Sequence, residues 1–379
     1  MLTVTEVKTN KDIKEFINFP LRLYKKCEFF VPPIYQDERK LLKTGGNNET
    51  AESVFYLAKK DGKTVGRIQG IIQKQYNQMH SEKRVRFTRF DAIDDGEVAG
   101  ALFNAIEKWA EKKGMDTVCG PLGFSDLDRE GLLIDGFNEN STFEEQYNYE
   151  YYSRLIENLG YEKEIDWVEF ELKAPEKKNP MLARVAQRAL ELNKLHISDT
   201  NMSKKAYIEK YGDSFFDCLD ECYSKIYGAV PITSEERKEL ISQFLLIINI
   251  KYAVFICDES ERVVAFGLCF PAIGDALKKS GGRLTITALI KLIKAAKNPK
   301  IIDLGLVAVR PEYQNSGINA VLINGIADML SEGKIEKCET NLNLESNTAV
   351  ISQWKHFNSR QHKRRRSYIK TLKGENNNA

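Results

Sequence analysis

The residues with the clearest chemical potential lie between Ile301 and Leu330, in the run IIDLGLVAVRPEYQNSGINAVLINGIADML. Gln314, Asn315, Ser316, Gly317, Ile318 and Asn319 follow a short apolar run, Ile302 to Val309, that is interrupted by Asp303 alone. That run suits a strand buried on both faces. Pro311 ends it, because proline has no N–H for a ladder. From Ala320 the apolar residues Val321, Leu322, Ile326 and Met329 return at helical spacing. A glycine-bearing turn that opens a helix presents several backbone N–H groups to one point, where the helix dipole also favours negative charge. The guest that fits is a phosphate.

Other chemistries lack their residues. Cys218 and Cys222 are four apart with no histidine pair to complete a zinc set, and the expectation is no metal. No G-x-x-x-x-G-K-[ST] loop is present. His80, His196, His356 and His362 are isolated, so no Ser/His/Asp arrangement can be argued. Asp126, Asp128, Glu130 and Gly131 imitate the start of a calcium loop, but the twelfth position, which needs a bidentate glutamate, is Phe137.

The loop and its setting resemble the GNAT superfamily of acyl-CoA-dependent N-acyltransferases. That family places Q/R-x-x-G-x-G/A between a buried strand and a helix. Gln314 and Gly317 match it, as does the preceding context of Val309, Pro311 and Tyr313. The last position departs, being Asn319 with Ala320 next; Asn319 either crowds the approach or adds a donor. The resemblance implies that Gln314 to Asn319 hold the coenzyme A pyrophosphate. It implies further that the backbone around Leu306, Val307 and Val309 receives the thioester end. The acyl donor would be acetyl-CoA or a longer acyl-CoA, used as co-substrate, and the acceptor a small-molecule or peptide amine.

In that family the strand after the coenzyme helix splays from the coenzyme strand. Here it reads as Lys337 to Leu344, and alternation puts Glu339, Asn341 and Asn343 on one face. That face lines the acceptor site or is simply an exposed sheet face. Glu339 is the candidate general base, directly or through water. Asn347 and Ala349 match the family pattern N-x-x-A-x-x-L-Y. Trp354 falls where many members carry a tyrosine that protonates the leaving thiolate; indole is only a donor. Trp354 is therefore either a stand-in at the catalytic position or core. The alternative to an enzyme is a non-catalytic acyl-CoA-binding or fold-only protein.

Elements at suitable spacing surround these residues. The chain has 379 residues, 42% hydrophobic and 29% charged, which suits two globular domains. The fold class expected is mixed α/β: two GNAT-like domains, each a mostly antiparallel mixed sheet flanked by helices. The first covers 1–173, a linker 174–180, and the second 181–379. In the first, the loop before the helix Val98 to Lys112 is Asp94-Asp95-Gly96-Glu97. Its carboxylates repel a pyrophosphate, so this copy is expected to keep the fold without the coenzyme; the alternative is an unrelated α/β domain. The segment GPLGFSDLDREGLLIDGF, Gly120 to Phe137, reads as a substrate loop or an irregular structural loop. It resembles a set of bacterial tandem-GNAT proteins sharing GPxGFSDxDxEGLL.

A net charge of +2 makes no global case for nucleic acid. The KRRR run, Lys363 to Arg366, is expected in a closing strand. Seven scattered cysteines suit a reducing cytoplasm. No apolar run is long enough for a membrane span, so no stable membrane insertion is expected. An insertion, Ala272 to Lys300, carries seven basic residues and no acid after Asp275. Its Ile286, Leu289, Ile290 and Ile293 make one helix face. The expectation is a surface helix packed by that face with its lysines in water; a lid, or a helix lying on membrane or phosphate, is the functional version.

Overall fold

The computed structural model describes residues 1–372, with 243–247 described by backbone alone. The chain begins β1 (Leu2–Glu6), α1 (Asn10–Leu23), α2 (Tyr35–Thr44), β2 (Ala51–Lys60), β3 (Lys63–Gln73), α3 (Lys74–His80), β4 (Arg84–Ala92), α4 (Gly96–Lys112), β5 (Thr117–Gly120), β6 (Leu132–Asp135), α5 (Tyr151–Glu157) and β7 (Glu162–Lys173). It continues α6 (Pro180–Asn193), β8 (His196–Ile197), α7 (Lys204–Tyr223), α8 (Ser234–Ile247), β9 (Ala253–Cys257), β10 (Val263–Pro271), α9 (Gly274–Lys278), α10 (Ile286–Lys297), β11 (Ile301–Val309), α11 (Ile318–Ser331), β12 (Lys337–Thr340), β13 (Asn343–Leu344), α12 (Thr348–Ile351) and β14 (Asn358–Thr371).

Two compact units result. The first holds Met1–Val168, Gly274–Ala288 and the chain from Lys363 onward; the second holds Glu169–Ile273 and Leu289–His362. The sequence reading sets one boundary at residues 174–180, which lie inside the second unit. The actual division falls within β7 and β14, and the insertion is shared. Strands carry no local mark of such an exchange, because their pairing partners are distant in sequence.

Both units repeat one plan. An antiparallel hairpin, β2–β3 or β9–β10, leads to a third antiparallel strand, β4 or β11. A helix follows, and the next strand returns parallel: β4 with β5, and β11 with β12. The returning helices pack an apolar face on their own sheets. Val98, Leu102 and Ile106 of α4 do so in the first unit, and Ile323, Ile326 and Leu330 of α11 in the second. Among the described residues no helix is long and apolar enough to cross a membrane.

The first unit also encloses charge. Arg89 grips Glu38 through Nε and Nη2, with Nη2 at 2.8 Å, and Arg67 bonds Asp91 at 2.8 Å. Burial alone would raise the Glu38 carboxyl, but Arg89 and then Arg67 outweigh it and hold it at about 2, against an ordinary 4.5. A depressed carboxylate stabilises the fold above its unfolded pKa and loses that contribution as pH falls through the folded one. The window for Glu38 is therefore 4.5 down to about 2. Glu38→Gln is expected to cost about 3 kcal/mol at neutral pH and to flatten acid destabilisation in that window. Urea midpoints of both forms, stepped down in pH, check it; parallel curves would refute it.

The KRRR run is structural. Arg364 and Arg366 bond Asp166 at 3.1 and 2.8 Å, and Lys363 and Arg365 are buried. A further basic residue of the C-terminal stretch, Lys373, lies outside the described residues.

Candidate active site

The second unit brings a loop, a gap between strands and a row of carboxylates together around β11. The loop comes first. Asn315 and Gly317 both adopt the left-handed conformation, with φ of 62° and 87°. Glycine is suited to the second position on two grounds. Its φ is favoured by glycine, and an added Cβ would stand 3.3 Å from Ala189 Cβ and 3.4 Å from Val185 Cγ1 of α6. The Gln314 side-chain amide donates to the Val309 carbonyl at 3.1 Å, tying the loop to the strand. Ser316 donates to the Tyr313 carbonyl. Ile318 is buried and anchors α11, while Asn319 points out and does not crowd the turn. Gly317 has no side chain with which to cap α11, so the first N–H groups of the helix face outward. The loop's one acid, Glu312, is paired with Arg262 at 3.1 Å.

The corresponding turn of the first unit is closed. Asp95 caps α4 with its own carboxylate, accepting from Glu97 N at 2.9 Å and Val98 N at 3.4 Å. A carboxylate already stands where a phosphate would bind.

Next comes the gap. β11 and β12 pair only from Ile301↔Lys337 to Leu304↔Thr340, and the last bond runs from Asn341 N to the Leu304 carbonyl at 3.0 Å. Among the described residues, β11 then continues without a paired strand on that side. A bulge at Gly305 falls at the point of parting: Leu268 pairs Leu306 and Cys269 pairs Leu304. An added Cβ at Gly305 would come within 2.6 Å of the Phe270 ring. Arg310 N bonds the Val264 carbonyl toward β10. Backbone groups alternate along an antiparallel strand, so Val307 and Val309 turn theirs toward the opening. Two side chains meet them there. Gln314 takes the Val309 carbonyl, and the Tyr223 hydroxyl of α7 donates to the Val307 carbonyl at 3.3 Å.

The carboxylates lie on the next strands. Asp303 pairs Glu339, and Glu339 pairs Glu171, so the three stand in a row across β11, β12 and β7. All three are buried. Ile302 and Cys338 pack with α11, so the row faces the other side of the sheet. Lys337 bridges Glu339 at 2.7 Å and Glu171 at 3.0 Å. His362 Nε2 stands 3.9 Å from Glu339. Burial raises the Glu171 carboxyl, but Lys337, Lys173 and Arg360 overcome it and hold it at about 2.

Three expected site residues are placed otherwise. The strand proposed for Lys337 to Leu344 ends at Thr340. Asn343 Nδ2 bonds Thr340 Oγ1 and the Asn341 carbonyl, closing a turn directly after β12 that engages Asn341. Asn347 caps α12, accepting from Val350 N at 3.3 Å. Trp354 is 2% exposed, in the apolar cluster of Ile302, Ile323 and Phe357; it is core, not an acid's stand-in. Asp303, Glu171, His362 and Tyr223 are added by the structure. Only Asp303 carried a signal, as the one charge in an apolar strand.

One group of possible metal ligands converges among the described residues: His196, Cys257 and Glu261, within 4.8 Å. Glu261 already takes Lys210 at 3.1 Å and Tyr211 at 3.2 Å, and burial followed by Glu261 pushes the Cys257 thiol up to about 12. His196 Nε2 stands 3.5 Å from the same carboxylate, so Glu261 is the centre of this network.

Comparison with solved structures identifies the fold of this arrangement. A tandem GNAT protein from the clavulanic acid biosynthesis pathway superposes with a TM-score of 0.56 over 98% of each chain, at 11% identity. The chain has the tandem GNAT fold. No protein-family model matches it. Two relatives share its full extent. Protein YghO of Escherichia coli (strain K12) is 26% identical over 95% of this chain and 93% of its own. A bacterial ceramide synthase of Caulobacter vibrioides is 26% identical over 98% of both.

Proposed function

We propose that the chain is an acyl-CoA-dependent N-acyltransferase with its coenzyme site in the second unit. The observation that carries this reading is the parting of β11 and β12 beyond Leu304 and Thr340, beside an uncapped helix N-terminus. The outward N–H groups of Ile318 and Asn319, with the turn at Gly317, would hold a pyrophosphate. Arg184 and Arg188, exposed on the helix that meets Gly317, add positive charge near it. An acyl-CoA supplies an activated thioester carbonyl; the remaining chemistry belongs to the chain.

The Val307 N–H, turned into the opening, is placed to donate to the oxyanion that develops as an amine nitrogen attacks that carbonyl. Oriented donors of this kind usually make the largest catalytic contribution. The carboxylate row attracts a cationic amine, and Glu339 takes its proton, directly or through water. As the C–S bond breaks, the thiolate needs a proton. The Tyr223 hydroxyl stands at the carbonyl of the same residue, Val307, and supplies it, and the second proton that the attacking nitrogen loses as the amide forms restores the tyrosine. This answers the loss of Trp354 from the site. The relative called a ceramide synthase bears a name that denotes joining an acyl group to a long-chain amine in amide linkage. Long-chain amines are accordingly the first acceptors to test.

The test is turnover with acetyl-CoA and longer acyl-CoAs against an amine panel, reading free thiol and amide mass. Tyr223→Phe is expected to lower kcat roughly 10²-fold with little change in KM. Unchanged kcat would remove Tyr223 from the mechanism. Tight coenzyme binding without turnover across the panel would favour the binding-protein reading.

A further inference from the structure

We propose that α10 is a membrane-surface contact whose partner is an anionic phospholipid bilayer. The sequence leads one to expect its isoleucines packed inward. The structure turns the helix the other way. Ile286, Ile290 and Ile293 are 78%, 61% and 59% exposed, while Ala288 and Leu292 make the buried side. At 100° per residue the three isoleucines form one stripe along the helix. Single exposed apolar residues are ordinary; three aligned β-branched ones on a helix of twelve residues are not.

The charge around the stripe selects the partner. Lys297 continues it, and Lys294 and Lys291 flank it on one side; all three are exposed. None of the three has an ion-pair partner among the described residues. The helix, ITALIKLIKAAK, contains no acid. A second copy of this face would set lysines against lysines, and like charges repel. An anionic bilayer accepts both features at once: the isoleucines enter the acyl boundary and the lysines meet lipid phosphates. Twelve residues, roughly 18 Å of helix, are too few to span a bilayer, so the contact lies in the interface plane. The inference stands apart from the acyl-transfer reading, although a surface-bound enzyme would meet long-chain substrates where they concentrate.

The experiment is co-sedimentation of the full chain with vesicles of phosphatidylglycerol and phosphatidylcholine, against phosphatidylcholine alone. Partition onto the anionic vesicles is expected, falling as salt is raised. Ile290→Glu with Ile293→Glu, and Lys291→Glu with Lys294→Glu and Lys297→Glu, should each reduce it by about tenfold or more. These side chains are exposed, so both variants should fold, and circular dichroism checks that they do. A single Ile290→Trp should shift its emission to the blue on anionic vesicles alone. Absence of partition by the wild type, or equal partition by the variants, would overturn the proposal. So would a concentration-dependent dimer that the isoleucine variant abolishes without any vesicle binding. Vesicle partition is read without turnover, so failure here is separable from failure of the proposed activity.

Discussion

Gly317→Glu is expected to remove coenzyme A binding, lowering affinity by roughly 100-fold or more in calorimetry. Three effects act together. The position has φ +87°, a conformation that costs a residue with a Cβ roughly 1–2 kcal/mol. The added Cβ meets Ala189 and Val185 of α6 at 3.3 and 3.4 Å. Most of the loss comes from the third effect: a carboxylate placed where a pyrophosphate should sit, at the end of a helix whose dipole it would itself satisfy. The first unit carries the same arrangement naturally, because Asp95 occupies the N-terminus of α4 with its own carboxylate. The wild type should accordingly bind one coenzyme per chain. Gly317→Ala separates strain from charge and should lose much less. Two sites in the wild type, or unchanged affinity in Gly317→Glu with an intact thermal transition, would refute the placement.

Glu339→Gln is expected to lower kcat by roughly 10² to 10⁴-fold, the range for removing one general base. Glutamine keeps the shape and loses the proton acceptor. The fold should survive, because Lys337 retains Glu171 at 3.0 Å after losing Glu339 at 2.7 Å. Coenzyme affinity should be unchanged, since Glu339 lies in the carboxylate row and not in the loop. The discriminating readout is the pH profile. A lost base removes the rise of kcat with pH on the acidic side, whereas a merely structural change scales the whole curve. Asp303→Asn is the companion measurement. If Asp303 serves only to attract the cationic amine, its loss should raise KM more than it lowers kcat. Full activity in Glu339→Gln would transfer the base role to Asp303 or to His362.

What could be read from the chain alone is what is encoded within about thirty consecutive residues. The apolar run of β11, the break at Pro311, the turn at Gly317 and the helical spacing of α11 need no distant partner to be recognised. The same holds for Asp95 at the head of α4. What tertiary structure decided is whatever depends on pairing or packing between distant segments. Glu171, Asp303 and Glu339 form one row only because β7, β11 and β12 are neighbours. Tyr223 reaches Val307 across 84 residues of chain. Trp354 belongs to the core because the second unit's sheet and α11 close over it. The strand β12 stops at Thr340 because Asn343 closes a turn there. The insertion illustrates the limit physically. Periodicity shows that α10 has an apolar face, but a helix can be rotated about its axis without altering its periodicity. Only the packing of Ala288 and Leu292 settled which way that face turns.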